Sequence, residues 1–118
     1  MLKGRLEDQR MLTGRGRYVS DWNLPGQAYA HFLRSDRAHA EIVSIDKQAA
    51  LDSPGVLAVF TGEDLRSLKS LPAALPVKGR GGAELIHPGR PALAQGRVRF
   101  AGDAIALVVA ETAAAAQA

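Results

Sequence analysis

Residues 104–110, AIALVVA, form the longest apolar stretch of the chain, and this run limits what the rest can fold into. Seven residues cannot cross a bilayer core, which takes about 20 in a helix. A short run with no polar alternation reads as a strand buried on both faces. It needs cover above and below. A second β-prone run, Val56-Leu57-Ala58-Val59-Phe60, is rich in branched and aromatic side chains. A third strand is expected over 28–35, where small and large side chains alternate through Ala28, Tyr29, Ala30 and His31. A fourth is expected over 41–46, and Arg97-Val98-Arg99-Phe100 also alternates. The strands around 42–46, 56–60 and 105–110 are expected to make the core.

Short helices fall between the strands. Asp46 can open a helix over 47–52, which Ser53-Pro54-Gly55 stops. Thr112 is placed to cap an alanine-rich helix over 113–118. A helical turn fits 8–12, and a helical stub fits 61–65. The class is therefore α/β in the α+β sense: a small mixed sheet, short helices and one long Pro/Gly-rich loop. That loop is 66–96. It holds four of the six prolines (Pro72, Pro76, Pro88, Pro91) and the cluster Lys78-Gly79-Arg80-Gly81-Gly82. A stretch this long without periodicity inside a small domain is functional, disordered or held by a partner. The chain ends inside its last helix with no capping glycine. It reads as the front part of a longer polypeptide.

At 118 residues and 47% hydrophobic content, the chain fits one globular domain, 28–118, preceded by an irregular arm, 1–27. With no cysteine, it cannot offer a disulfide scaffold, a thiolate-ligated zinc or iron–sulfur site, or a thiol nucleophile. Residues 1–17 of the arm carry Lys3, Arg5, Arg10, Arg15 and Arg17 against Glu7 and Asp8, an excess of +3 that equals the net charge of the whole chain. Asn23-Leu24-Pro25-Gly26 places Pro and Gly for a type II turn. Met1-Leu2 runs straight into charged residues with no signal-peptide core, so a cytoplasmic location is expected.

Candidate chemistry is sparse. His31, His39 and His87 lie 8 and 48 residues apart, which gives no helical ligand pair. Ser35, Asp36 and His39 are close in sequence but sit in a polar turn with no nucleophile elbow. Gly14-Arg15-Gly16-Arg17 and Gly79-Arg80-Gly81-Gly82 could cradle an anion, yet neither is a P-loop, and both read as turns with solvated charges. The acid pairs Glu7-Asp8 and Glu63-Asp64 open short helices, where the dipole favours them. No catalytic, cofactor-binding or metal residue stands out.

Three segments taken together resemble a known family. They are LTGRGRYVSDWNLPG (12–26), AYAHFLRSDRAHAEIVSIDKQAALDSPGVLAVFTGEDL (28–65) and RPALAQGRVRFAGDAIALVVAET (90–112). Their order is similar to the start of the molybdopterin-binding large subunit of the xanthine dehydrogenase, aldehyde oxidase and carbon monoxide dehydrogenase family. The resemblance implies an α/β-hammerhead domain followed by a larger catalytic domain. That domain would carry molybdopterin with molybdenum, and electrons would leave through [2Fe–2S] clusters and FAD on other subunits or domains. The arm is more similar to the three-subunit bacterial members. One departure is Gly102-Asp103-Ala104-Ile105, where relatives commonly show Gly-Glu-Pro-Val. Losing the proline frees an N–H and relaxes the turn.

The expectation is a non-catalytic structural and assembly domain of a molybdenum hydroxylase large subunit, inactive as this chain alone. Its basic arm and the 66–96 loop would lie against the catalytic domain or a neighbouring subunit. The rival reading is a self-standing basic module using Arg5, Arg10, Arg15, Arg17, Lys78 and Arg80 on an anionic partner such as nucleic acid. A third reading, a split gene product, would be separated by the DNA immediately downstream. Limited proteolysis of the chain alone should cut first within 66–96; resistance there would count against a partner-held loop.

Overall fold

The computed structural model describes residues 4–72, 77–84, 86 and 88–118. The arm begins with α1 (Asp8–Leu12), passes a 3-10 turn at Val19–Asp21 and ends in a turn at Leu24-Pro25-Gly26-Gln27. There the Gln27 N–H donates to the Leu24 carbonyl at 3.1 Å, with Gly26 at φ +74°, which is the type II turn the Pro-Gly pair dictates. Strand β1 (Tyr29–Arg34), the two-residue β2 (Ala40–Glu41), helix α2 (Gln48–Leu51) and β3 (Val56–Thr61) follow. After the proline-rich loop come β4 (Arg97–Val98), β5 (Ala104–Ala110) and α3 (Ala113–Gln117).

The main sheet is antiparallel in the order β1-β5-β3. The apolar run is thus the central strand, paired on both edges. Phe32, Leu107 and Phe60 stand in one row across the three strands, and His31, Val108 and Val59 in the next. Because side chains alternate across a strand, successive rows point to opposite faces. The sealed face holds the core: Val59, Thr61, Ala106 and Ala110 are buried there. Leu93, Ala94 and Val98 from the returning loop and Ala116 of α3 complete the buried set. Thr112 caps α3 as its sequence position requires, its hydroxyl oxygen accepting from the Ala115 N–H at 3.1 Å.

Two sequence expectations need correction. Residues 42–46 are not a core strand. Only Ala40 and Glu41 pair, and they pair with β4 in a separate two-stranded sheet. Their partner strand is two residues long and Gly96 precedes it, so the ladder ends where the Ile42 N–H donates to the Gly96 carbonyl at 3.0 Å. The third core strand is β1 instead. Nor is β5 fully buried on both faces: Ala106 and Ala110 are buried on one, whereas Ile105, Leu107 and Val109 on the other are only half-buried.

The turn that lacks the expected proline is firmly tied. Gly102 N–H donates to the Ser35 carbonyl at 2.7 Å, and Ser35 N–H donates to the Asp103 carbonyl at 2.8 Å, which extends the β1–β5 ladder past its last pair. Gly62, at the end of β3, lies against the returning loop. A methyl group there would overlap the Ala94 carbonyl. Glycine is required by contact, not by φ. Gly62→Ala should therefore lower the unfolding free energy by about 1–3 kcal/mol, read as a shift of the urea midpoint. An unchanged midpoint would mean that the loop does not press on β3.

Candidate functional site

The most informative feature is surface that the fold leaves bare. Phe32 and Phe60 are 44% and 38% exposed, flanking Leu107 on the face of the sheet opposite the core. The adjoining row on that face is Ala30, Val109 and Ala58, so a ridge of large side chains borders a shallow floor of small ones. Arg34 lies over the Phe32 ring at 5.7 Å to its centroid. Covering the exposed share of each Phe is worth roughly 0.6–1.3 kcal/mol, comparable with an exposed ion pair at about 0–1.

The totals agree. The accessible area is 10057 Å², against about 6,200 Å² for a folded monomer of this mass. The radius of gyration is 20.4 Å, against about 13–14 Å for a compact domain of this length. The surplus is roughly 3,900 Å². Much of it belongs to the arm, where Leu6, Leu12, Val19 and Leu24 are exposed.

Beside the sheet, α2 is bound to the turn after β3. The Asp64 carboxylate accepts from the Lys47 ammonium at 2.9 Å, the Thr61 N–H at 2.7 Å and the Thr61 hydroxyl at 2.9 Å. The Lys47 ammonium, then the Thr61 donors, hold the Asp64 carboxyl at about 2, below its ordinary 3.8. Sequence pattern assigned Glu63-Asp64 to a helix start. The stretch is instead a run of turns, and Asp64 closes back on Thr61. An open cleft of about 700 Å³ lies alongside, lined by Ile42, Ile45, Lys47, Gly62, Asp64 and Gly96. Arg66 is held by Glu63 at 2.8 Å, so the charges near this cleft compensate one another. A second cleft of about 440 Å³ includes Pro88, Arg90, Arg99, Phe100 and Asp103. The Asp103 carboxylate accepts from the Arg99 N–H at 3.0 Å.

The other sequence candidates fall apart in space. The Ser35 hydroxyl accepts from the Arg37 N–H at 3.0 Å and donates to the Arg37 carbonyl at 2.9 Å, so it is spent on its own turn. His31 is on β1 and His39 in the following turn, while His87 lies outside the described residues. Lys78 faces Glu84 at 3.8 Å, and no hydrogen bond or ion pair among the described residues joins its loop to the arm. Glu7 pairs with Arg10 at 3.9 Å, and Asp8 accepts from the Arg5 N–H at 2.9 Å. Among the described residues no group of three or more His, Asp or Glu gathers to hold a metal, and no buried side-chain N or O lacks a partner. No helix among the described residues is long and apolar enough to cross a membrane. The bare face was missed from sequence; the only signal was that too little apolar sequence exists to cover β5 twice.

Comparison with known proteins places this geometry. A sequence model for the α/β hammerhead domain of aldehyde oxidase and xanthine dehydrogenase matches residues 13–118. The large subunit of nicotine 6-hydroxylase from Paenarthrobacter nicotinovorans is 42% identical over 114 residues, 96% of this chain and 13% of that protein. A putative xanthine dehydrogenase molybdenum-binding subunit of Escherichia coli (strain K12) is 37% identical over 111 residues, 90% of this chain and 14% of its own length. The crystal structure of quinoline 2-oxidoreductase from Pseudomonas putida 86 superposes with a TM-score of 0.86 at 43% identity, over 96% of this chain and 14% of that one. The chain thus spans about one-seventh of the relatives it matches.

The Asp64 cluster makes a pH prediction. A carboxyl whose folded pKa is depressed adds stability above its unfolded value and loses it as pH falls through the folded one. Acid unfolding of the chain should include a component that begins just above pH 3.8 and is complete near pH 2. Asp64→Asn should remove that component while leaving the rest of the acid profile in place. An acid profile identical in both proteins would show that the cluster does not persist in solution.

Proposed function

The chain belongs to the aldehyde oxidase and xanthine dehydrogenase family as its α/β hammerhead domain, and on that footing we propose that it serves as a non-catalytic scaffold within a molybdenum hydroxylase large subunit. Residues 28–118 would be the hammerhead proper and 1–27 a docking arm. The observation that carries this is the uncovered sheet face. Phe32, Leu107 and Phe60 make sense only under another protein layer.

The parent enzyme would be an oxidoreductase. Its molybdopterin and substrate pocket would lie in the larger catalytic domain, and its iron–sulfur and FAD groups on other subunits or domains. When bound there, the molybdenum cofactor supplies the oxidative chemistry. This chain's residues would act by position: the sheet seats the catalytic body, and the Lys47–Asp64 cluster keeps α2 against the end of β3. The 66–96 loop would settle against the same body, and the assembly would work in the cytoplasm.

Two measurements test the proposal. The purified chain should retain no molybdopterin and give no turnover with an artificial electron acceptor; robust turnover would refute it. In the full-length large subunit, Phe32→Ser with Phe60→Ser should weaken domain docking by roughly 0.6–1.3 kcal/mol per side chain, the share of full burial that their 44% and 38% exposure leaves to be gained. The expected readout is a lower yield and melting temperature of assembled enzyme, with kcat/KM unchanged for what does assemble. A fall in kcat/KM at full stability would instead place these residues in the catalytic machinery.

A further inference from the structure

We infer that residues 5–24 form a preorganised clip that seats on a protein surface presenting an apolar trough rimmed by carboxylates. This rests on the reading above that the chain is one part of a larger assembly, and it names the chemistry of the partner surface.

The arm has internal structure but no cover. Leu12 and Val19 are 87% and 93% exposed, and Leu6, Leu24 and Trp22 are open as well. Yet its backbone is not loose chain. Arg15 N–H donates to the Arg10 carbonyl at 2.8 Å just after α1, and the Tyr18 hydroxyl reaches the Met11 sulfur at 3.6 Å, linking α1 to the 3-10 turn. The Tyr18 N–H donates to the Asp21 carboxylate at 2.8 Å. Apolar side chains held outward by such a frame are set for a complementary surface, because less ordering remains to oppose binding.

Charge settles what that surface carries. The arm's acids are already engaged: Glu7 with Arg10, Asp8 with the Arg5 N–H, and Asp21 with the Tyr18 N–H. Among the described residues no carboxylate pairs with Arg15 or Arg17. Arg17 lies over the Trp22 ring at 5.2 Å to its centroid, which joins an apolar anchor to a guanidinium fork. Trp, Tyr and Arg are the side chains that dominate binding at protein interfaces, and a fork of this kind matches a carboxylate.

The other anionic partners fit less well. Single-stranded nucleic acid is held by bases stacking on open aromatic faces, and here Arg17 occupies a face of the only tryptophan. An anionic membrane is met by a continuous amphipathic helix, and α1 has five residues.

Hydrogen exchange read by mass spectrometry on the assembled parent enzyme tests the inference. Amides over 8–22 should exchange at least about tenfold more slowly there than in the 118-residue chain alone. Arg15→Glu with Arg17→Glu, and separately Trp22→Ala, should return them to the free-chain rate while β5 keeps its protection. If the arm exchanges equally in both settings while β1 and β3 are slowed, the clip is overturned and the scaffold reading stands. If neither arm nor sheet is slowed, the scaffold reading falls with it. Trp22 fluorescence of the 118-residue chain should not shift on adding phosphatidylglycerol vesicles or single-stranded DNA; a blue shift with either would overturn a protein partner.

Discussion

The buried residues Val59, Thr61, Ala106 and Ala110 of the sheet, with Leu93, Ala94, Val98 and Ala116, make the core on which the fold depends. It is tight and modest in size. Four of those eight residues are alanine, each bringing a single methyl to the core. Phe32, Phe60 and Leu107 sit on the opposite face, while Leu33 and Val108 stand in the same rows as the core residues. The small residues permit close approach of loop and helix, and the half-exposed Phe32 and Phe60 leave the opposite face short of a cover, which on the proposed reading another part of the assembly supplies.

The same economy appears at the end of β3. Gly62 lets the Ala94 backbone come close, and Asp64 gathers three donors from Thr61 and Lys47. One polar knot fixes the turn, α2 and the edge of the main cleft together. It sits at the border of the sheet, away from the apolar face, where the Arg34 guanidinium lies over the Phe32 ring.

Much of this was legible in the sequence. The Pro-Gly turn, the strands 28–35 and 56–60, the central run 104–110 and the Thr112 cap follow from local rules of φ, branching and capping, and each stands near the expected position. The family resemblance rests on three ordered segments, and the hammerhead match bears it out. What failed was non-local. Ile42, Val43 and Ile45 carry β-favouring side chains, yet a strand needs a partner, and β4 offers only two residues. Likewise the apolar pattern of β5 reports that both faces avoid water, without saying which chain provides the second cover. The Asp64 cluster was hidden because Lys47 lies 17 residues away. No spacing rule connects a residue before α2 to one after β3.

Strand β3 borders the sheet, and Val56–Thr61 contains neither a charged side chain nor a proline. Natural edge strands normally carry such features to discourage pairing with strangers. Their lack here leaves this border guarded by what lies beside it, α2 included, rather than by its own side chains.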